Sequence, residues 1–262
     1  MAEQLHVKTS GEGDSNVVLL HGLFGSGNNL GQIARGLKDD HRVHSVDLPD
    51  HGRSVWLPQA CIQSYAHCVA AWMDDQQLTN CYVIGHSLGG KVAMQLAVNR
   101  PELIKRIVIL DISPMAYTVR RHDHIFAGLS AVKAAGVKTR ADARDVLLAH
   151  IDEPSVADFL LTSAYTDESG LIDWRFNLAQ LEADCRHMLS GIEVQEAQGL
   201  PCQIPSLVVR GGDSDYVPKT TKQDFAHLFG ALNVVTVKSA GHWLHKEQTE
   251  TVLSLIGRFI AP

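Results

Sequence analysis

One stretch of the sequence indicates the fold: Val83-Ile84-Gly85-His86-Ser87-Leu88-Gly89-Gly90. The preceding residues Cys81-Tyr82 belong to the same run of strand-favouring residues. Residues 91–101 have helix-forming composition and end at a proline. A glycine two residues to either side of Ser87 allows a strand and a helix to pass close together. The tight turn between them pushes the serine hydroxyl out of the sheet. The stretch therefore predicts a strand, a serine turn and a helix, with Ser87 as a candidate nucleophile.

The composition is ordinary for a globular enzyme. The 262 residues are 45% hydrophobic and 20% charged, which suits one α/β domain, with or without an insertion. The net charge of −6 provides no basic surface, so we expect no nucleic-acid partner. The amino terminus has neither a basic segment nor an apolar run, and the longest aliphatic runs are too short to span a bilayer, so we expect no membrane insertion. Five cysteines without a C-x-x-C pair favour buried thiols in a reducing compartment, and we expect a cytoplasmic protein.

Apolar runs alternate with helical patterns along most of the chain. The runs that predict buried strands are residues 17–20, 41–46, 81–84, 107–110, 206–210 and 234–238. This alternation predicts an α/β fold with a mostly parallel central sheet flanked by helices. Residues 114–200 instead contain amphipathic helical stretches and no convincing buried strand, which predicts a helical cap inserted after the strand that follows the Ser87 helix. We expect the core to comprise residues 1–113 and 201–262, and the cap residues 114–200.

A Gly-rich loop at residues 21–30 follows the first buried strand. Its spacing fits neither G-x-x-x-x-G-K-[ST] nor G-x-G-x-x-G, so a phosphate cradle is not favoured. At the carboxyl edge of a parallel sheet, beside a serine turn, such a loop is typical of an oxyanion hole. We predict that the backbone N–H groups of Leu23 and Leu88 are the two donors. Each such donor stabilises a transition state by about 3 kcal/mol.

A serine nucleophile needs a base, and the base needs an acid that orients it. His242 follows the last predicted strand and is the predicted base, with His245 as a weaker candidate. The residues alone leave the acid open between Asp111, at the end of a buried strand, and Asp213 or Asp215, in a later polar loop. A buried strand end holds a carboxylate more firmly than a surface turn, which favours Asp111.

Apolar residues of the predicted cap are candidates for the wall of an acyl pocket, although packing between cap helices is the alternative for each. These residues are Met115, Tyr117, Phe126, Phe159, Trp174 and Phe176. The set that we expect to contact substrate is Phe24, Asn29, Met115, Trp174 and Trp243. His51 is interpreted as a structural residue of its turn, and residues 122–124 (His-Asp-His) as solvated surface rather than a metal site.

Several motifs together resemble the α/β-hydrolases, and more narrowly the YbfF-type esterases. They are residues 21–26 (HGLFGS), 47–54 (DLPDHGRS), 85–90 (GHSLGG), 111–114 (DISP), 210–212 (RGG) and 241–243 (GHW). The resemblance covers nearly the whole predicted core and matches the cap loosely. It implies hydrolysis of acyl esters, including small activated esters and acyl-CoA thioesters, without a cofactor, and it places the acid at Asp111.

Other readings of the same residues exist because a fold does not determine a function. The alternatives are a lyase that uses the same serine, histidine and acid, and a degenerate hydrolase that acts as a binding module. We expect neither a cofactor nor a metal, and a small-molecule acyl ester or acyl-CoA as the partner. Four basic residues of the predicted cap are candidate contacts for a CoA phosphate: Arg120, Arg121, Lys133 and Lys138.

Overall fold

The predicted mostly parallel sheet is confirmed in the computed structural model, which describes residues 4–117, 122–194, 201–218 and 222–261. The strands of the main sheet are β1 (Val7–Ser10), β2 (Ser15–Leu20), β3 (His41–Val46), β4 (Cys81–His86), β5 (Ile104–Leu110), β8 (Ser206–Gly211) and β9 (Leu232–Val237). Their order across the sheet is β1-β3-β2-β4-β5-β8-β9. Only β1 pairs antiparallel, with β3, and the other pairings of this sheet are parallel.

Helices of the core cover both faces of this sheet. They are α1 (Gly31–Leu37), α2 (Ile62–Asp75), α3 (Leu88–Asn99), α9 (Lys222–Ala226), α10 (Leu244–Glu247) and α11 (Thr249–Ile260). In β2, Val17 and Leu19 pack into the cluster that includes α1 and α11, whereas Val18 and Leu20 pack into the cluster that includes α2 and α3. Because both faces are buried, the strands read as continuous apolar runs rather than as alternating patterns.

Two details of the core differ from the sequence prediction. The edge strand β1 was not predicted, because its four residues are only partly buried and carry little apolar signal. The final helix was expected over residues 246–260, but the chain forms α10 and α11 with a break at Gln248, whose φ is −133°. No described helix combines the length and the apolar composition required to cross a bilayer.

The sharp turn between β4 and α3 positions Ser87. Its backbone has φ 52° and ψ −120°, a conformation that costs energy for a residue with a Cβ. A Cβ on Gly85 would lie 2.2 Å from the carbonyl oxygen of Gly89, and one on Gly89 would lie 2.2 Å from that of Leu20. Only glycine at both positions lets helix α3 start this close to the sheet, and the serine therefore projects from the carboxyl edge.

We use the name cap for the described part of residues 114–200, which lies between β5 and β8. Its helices are α4 (Asp123–Ala135), α5 (Arg140–Leu148), α6 (Pro154–Leu161), α7 (Leu178–Ala183) and α8 (Cys185–Met188). It also contains an unpredicted hairpin, β6 (Ala164–Thr166) and β7 (Ile172–Trp174), paired antiparallel. Three-residue strands are too short to produce a periodic signal, which explains why the sequence predicted only helices here.

Candidate active site

Ser87, His242 and Asp111 are adjacent at the carboxyl edge of the sheet. Ser87 follows β4, Asp111 follows β5, and His242 lies in the loop after β9. The Nε2 atom of His242 lies 3.0 Å from Ser87 Oγ, and its Nδ1 atom lies 2.8 Å from Asp111 Oδ2. With Nδ1–H donating to the carboxylate, the lone pair on Nε2 faces the serine hydroxyl. A base in this arrangement can accept the proton of a serine nucleophile.

The carboxylate of Asp111 is fully buried and held from two sides. Gly211 N donates to Oδ1 at 2.8 Å, while the Ser214 hydroxyl donates to Oδ2. Asp111 itself has φ 50°, so its backbone is strained as well. The alternative acids Asp213 and Asp215 are exposed, and the carboxylate that meets His242 is that of Asp111.

The loop that carries Leu23 is fixed by buried hydrogen bonds. The next residue, Phe24, has φ 63°, and its N–H donates to His51 Nε2 at 3.2 Å. Its carbonyl accepts from the Ser163 hydroxyl of the cap at 2.7 Å. Among the described residues, the N–H groups of Leu23 and Leu88 have no hydrogen-bond acceptor, as expected for Leu88 at the first position of a helix. Both residues border a small void beside Ser87.

His51 therefore has a wider structural role than the sequence suggested. We interpreted it as part of its own turn, and its Nδ1–H does donate to Pro49 O at 2.8 Å. Its other nitrogen, however, supports the Leu23 loop. Burial lowers the pKa of His51 to about 3, with the neighbouring His21 as a second cause. The ring therefore stays neutral and keeps Nε2 available as an acceptor.

A cavity of about 260 Å³ opens onto Ser87 between the core and the cap. Phe24 and Trp243, two of the residues expected to contact substrate, border it from the core, and Phe159 borders it from the cap. Further residues of the wall were not predicted from the sequence, namely Ile125, Glu153, Val156, Leu160 and Tyr216. Apolar positions on amphipathic helices carry no signal that separates a cavity wall from ordinary helix packing.

The structure places two expected substrate contacts elsewhere. Trp174 is buried within the cap, where its ring stacks on Phe176 at 5.7 Å and its indole N–H donates to Leu129 O. Met115 is 49% exposed and does not border the cavity. Conversely, residues 122–124 are not simply solvated surface, because His122 is half-buried and both His122 and His124 border the cavity. The Trp174 side chain therefore packs inside the cap and does not contribute to the cavity wall.

A second cavity of about 230 Å³ adjoins the first across Gly22, His86, Phe159 and Trp243. Asn29, the remaining predicted substrate contact, borders this second cavity together with Arg35 and Lys246. Of the four basic residues suggested above for a CoA phosphate, the described residues include Lys133 and Lys138. Lys133 forms an ion pair with Asp173 at 2.9 Å, and Arg120 and Arg121 lie outside the described residues.

Two further histidines near Ser87, His86 and His245, help to hold the loop that carries His242. His86 Nε2 donates to the carbonyl of His242 at 2.8 Å and so holds that loop. The ring of His245 packs on His86 with centroids 4.3 Å apart, and burial lowers the pKa of His245 to about 3. A buried neutral ring that does not face the serine is a poor base. Within the described chain, no group of three or more His, Cys, Asp or Glu side chains is arranged to hold a metal ion.

The serine turn, the neighbouring acid and base, and the order of the strands in the sheet are together typical of one fold family. The model of the α/β-hydrolase fold matches residues 16–249. The chain therefore belongs to the α/β-hydrolase family.

Relatives of known name narrow the class. The chain is 36% identical to the esterase YbfF of Escherichia coli K12 over 94% of this chain and 93% of that protein. It is 32% identical to the sn-1-specific diacylglycerol lipase ABHD11 of Mus musculus, over 94% of this chain and 80% of the lipase. A solved structure, a marine microorganism esterase, superposes with a TM-score of 0.93 at 30% identity and covers 98% of this chain and 99% of that one. The predicted YbfF-type resemblance is confirmed, and the protein is a carboxylesterase-type hydrolase.

Proposed function

We propose that this hydrolase cleaves carboxylic esters, and also acyl-CoA thioesters, through an acyl-enzyme on Ser87. The observation that supports this most directly is the hydrogen-bonded row from Asp111 through His242 to Ser87. The strained serine turn supports it further, because such strain at a polar, cavity-facing residue is typical of a reactive position.

In the first half of the reaction, His242 Nε2 takes the proton of Ser87 Oγ as that oxygen attacks the acyl carbonyl. The Asp111 carboxylate stabilises the imidazolium that forms. The developing oxyanion accepts hydrogen bonds from the backbone N–H groups of Leu23 and Leu88, which have no other acceptor among the described residues. His242 then protonates the departing alcohol or thiol, and the acyl group remains on Ser87.

In the second half, water replaces the alcohol or thiol in the site. His242 takes a proton from the water as its oxygen attacks the acyl-enzyme, and the same two N–H groups stabilise the second oxyanion. Collapse of this intermediate returns the proton from His242 to Ser87 Oγ and releases the carboxylic acid. The cycle consumes one water and leaves the enzyme unchanged.

The two cavities suit the two parts of such a substrate. The cavity at Ser87 has an apolar wall with Phe24, Phe159 and Trp243, which favours an acyl chain. The adjoining cavity is bordered by Asn29, Arg35 and Lys246, which favours a polar or anionic leaving group such as the phosphorylated arm of CoA.

We also propose a cytoplasmic location. The five cysteines are odd in number and form no C-x-x-C pair, and four of them are buried. This pattern is typical of proteins in a reducing compartment, which supports the proposal.

Labelling with a fluorophosphonate, followed by intact-mass measurement, tests the proposed nucleophile. We expect one adduct on the wild type and none on Ser87→Ala, together with a loss of ester hydrolysis by a factor of about 10⁴ or more. Retention of most activity in Ser87→Ala would refute the mechanism. Labelling of Ser87 without turnover of any ester or thioester would instead favour a lyase or a binding module.

A second assay tests the thioester substrate and its leaving-group cavity. An acyl-CoA is compared with the N-acetylcysteamine thioester of the same acyl chain, which lacks the phosphates. We expect Arg35→Glu and Lys246→Glu to raise the KM for the acyl-CoA several-fold and to leave the KM for the smaller thioester unchanged. The same substitution at Lys138, an exposed cation away from both cavities, is the control. Equal effects on both thioesters would contradict the assignment.

A further inference from the structure

We propose that the seam between the core and the cap contains a second ligand site, which binds the phosphate group of a small molecule outside the active-site cavity. The site is a cavity of about 480 Å³, here called the seam cavity. The side chains that favour a phosphate ligand are Lys8, Ser45, Arg53, Thr162 and Arg175. The inference goes beyond the proposed function, because the reaction at Ser87 uses none of these residues.

The first observation is that three cations from separate parts of the chain border the seam cavity. Lys8 lies in β1, Arg53 lies in the turn after β3, and Arg175 follows β7 in the cap. The core and the cap therefore both contribute charge, and the three cations come together only in the folded protein. All three residues are exposed, so a ligand can reach them without displacing the cap.

The second observation is that these three cations have no acidic partner. None of them forms an ion pair with a carboxylate among the described residues. By contrast, Arg100 and Arg144 each pair with an aspartate. The whole chain has a net charge of −6, so a group of cations without carboxylate partners differs from its average surface. Such a group attracts anions from solution.

Arg175 is oriented for a two-point contact with an anion. Its guanidinium lies over the ring of Tyr165, 4.8 Å from the centroid. The ring covers one face of the guanidinium, and the N–H groups at its edge donate to no other described residue. Guanidinium N–H groups bind two phosphate oxygens at once, and a stacked guanidinium is already oriented for this contact.

Ser45 supplies a buried hydroxyl that has no partner within the described chain. The residue is 7% exposed and borders the seam cavity. Its hydroxyl forms no hydrogen bond to a described residue. Buried polar groups are usually hydrogen-bonded, because an unpaired one costs free energy. A phosphate oxygen in the cavity would accept the hydroxyl proton, so Ser45 indicates a formed binding site rather than a charged surface alone.

Of the described residues that border the seam cavity, only Asp47 carries a carboxylate. It accepts hydrogen bonds from Gly27 N at 2.7 Å and from Arg53 N at 3.0 Å, and His6 Nδ1 lies 3.1 Å from it. These donors offset the charge of Asp47 and fix the backbone around the cavity. Three cations against one carboxylate leave the cavity positively charged, which suits a phosphate with a charge of about −2.

The seam cavity adjoins the second cavity, since Asn28 and Thr162 border both. The second cavity in turn adjoins the one at Ser87. The phosphate group can therefore belong to a free small molecule or to the far end of a long substrate. The binding chemistry is the same in both cases, and the experiment separates them.

Isothermal titration calorimetry with inorganic pyrophosphate tests the site. We expect saturable binding to the wild type, and a Kd at least about tenfold higher for the double variant R53Q/R175Q. Ser45→Ala, which keeps every charge, should raise the Kd by about threefold or more. Lys138→Gln, at an exposed position away from the cavity, and Arg35→Gln, in the second cavity, are the controls and should bind as the wild type does.

Several outcomes would overturn the inference. They are absence of saturable binding to the wild type, and an unchanged Kd in R53Q/R175Q. An unchanged Kd in Ser45→Ala would do the same, because attraction by diffuse charge needs no hydroxyl. Loss of binding in Arg35→Gln alone would place the anion in the second cavity instead. Thermal unfolding checks each variant, and Lys8→Gln, with the same expected increase in Kd, replaces the double variant if that does not fold.

Hydrolysis then identifies the source of the phosphate. If R53Q/R175Q raises the KM for an acyl-CoA several-fold and leaves that for the matching N-acetylcysteamine thioester unchanged, the phosphate belongs to the substrate. If neither KM changes while pyrophosphate binding is lost, the phosphate belongs to a free ligand, and both results support the site. Ser87→Ala should bind pyrophosphate as the wild type does, so a failure of the proposed hydrolysis is distinguishable from a failure of this inference.

Discussion

The two walls of the active-site cavity are constructed differently. On the core side, Ser87, Asp111 and Phe24 all have positive φ, and each is fixed by hydrogen bonds that are buried or partly buried. On the cap side, residues such as Val156 and Leu160 contribute apolar side chains from a helix. Hydrogen bonds and strained backbone fix direction, whereas apolar packing is non-directional. The proposed mechanism therefore assigns the chemistry to the core wall and the acyl selectivity to the cap wall.

The largest expected effect distinguishes the buried acid from the exposed ones. Asp111→Asn should lower kcat by a factor of about 10³ to 10⁴, because the amide favours the wrong tautomer of His242. Asp213→Asn and Asp215→Asn should each stay within about twofold of the wild type, since both side chains are exposed. Steady-state hydrolysis of a soluble ester measures this, and the reverse ranking would assign the acid to the later loop.

The next effect tests whether hydrogen bonds of the core wall fix the oxyanion loop. His51→Leu removes the acceptor of the Phe24 N–H and should lower kcat by about 100-fold through displacement of Leu23. His51→Gln can place an oxygen acceptor where Nε2 lies, and its kcat should be at least about tenfold higher than that of His51→Leu. Rates are compared at matched folded fractions. Equal losses in the two variants would mean that ring packing, and not the acceptor, is what matters.

Lys91 connects the core to the cap, and its contribution to the free energy of unfolding depends on pH. It lies on α3, is 1% exposed, and donates through Nζ to the carbonyls of Met115 and Ser190, close to where the cap leaves and rejoins the core. Burial lowers the pKa of Lys91 to about 7. Between pH 7 and its ordinary pKa of about 10.4, only the unfolded chain carries the proton, so this group makes folding more favourable as pH rises.

The measurement is the free energy of unfolding in denaturant for the wild type and for Lys91→Met at pH 7 and pH 9. Groups common to both proteins cancel in the difference. That difference should shift by about 2 kcal/mol in favour of the wild type at the higher pH. A difference that does not change with pH would mean that the buried amine keeps its proton.

The smallest effect concerns the cap wall itself. Phe159→Ala removes a ring that borders the cavity and should change the ratio of kcat/KM for long and short acyl esters by about tenfold in favour of the long chains. Labelling of Ser87 by the fluorophosphonate should remain. Met115→Ala is the matched control, since that side chain is away from the cavity. A change of selectivity with Met115→Ala would instead show that Met115 contacts the substrate.

The sequence by itself determined the class of fold and the chemistry of the core edge. Gly85 and Gly89 around Ser87 are required by close approach of backbones, and continuous apolar runs require a sheet buried on both faces. These signals are local, since each depends on residues adjacent in the chain. They can therefore be detected without knowing which residues are in contact in the folded protein. The preference for Asp111 came from the resemblance to the YbfF-type esterases, together with a local feature, its place at the end of a buried strand.

Only the tertiary structure decided which residues meet across the chain. Asp111 and Ser214 are 103 residues apart, and their contact depends on the order of β5 and β8 in the sheet. His51 reaches the Leu23 loop, while Trp174 packs inside the cap and not against the cavity. An amphipathic pattern says that a side chain is buried but not against what, because hydrophobic burial has no direction. The partners are set by how the elements pack, and that is decided by the whole chain at once.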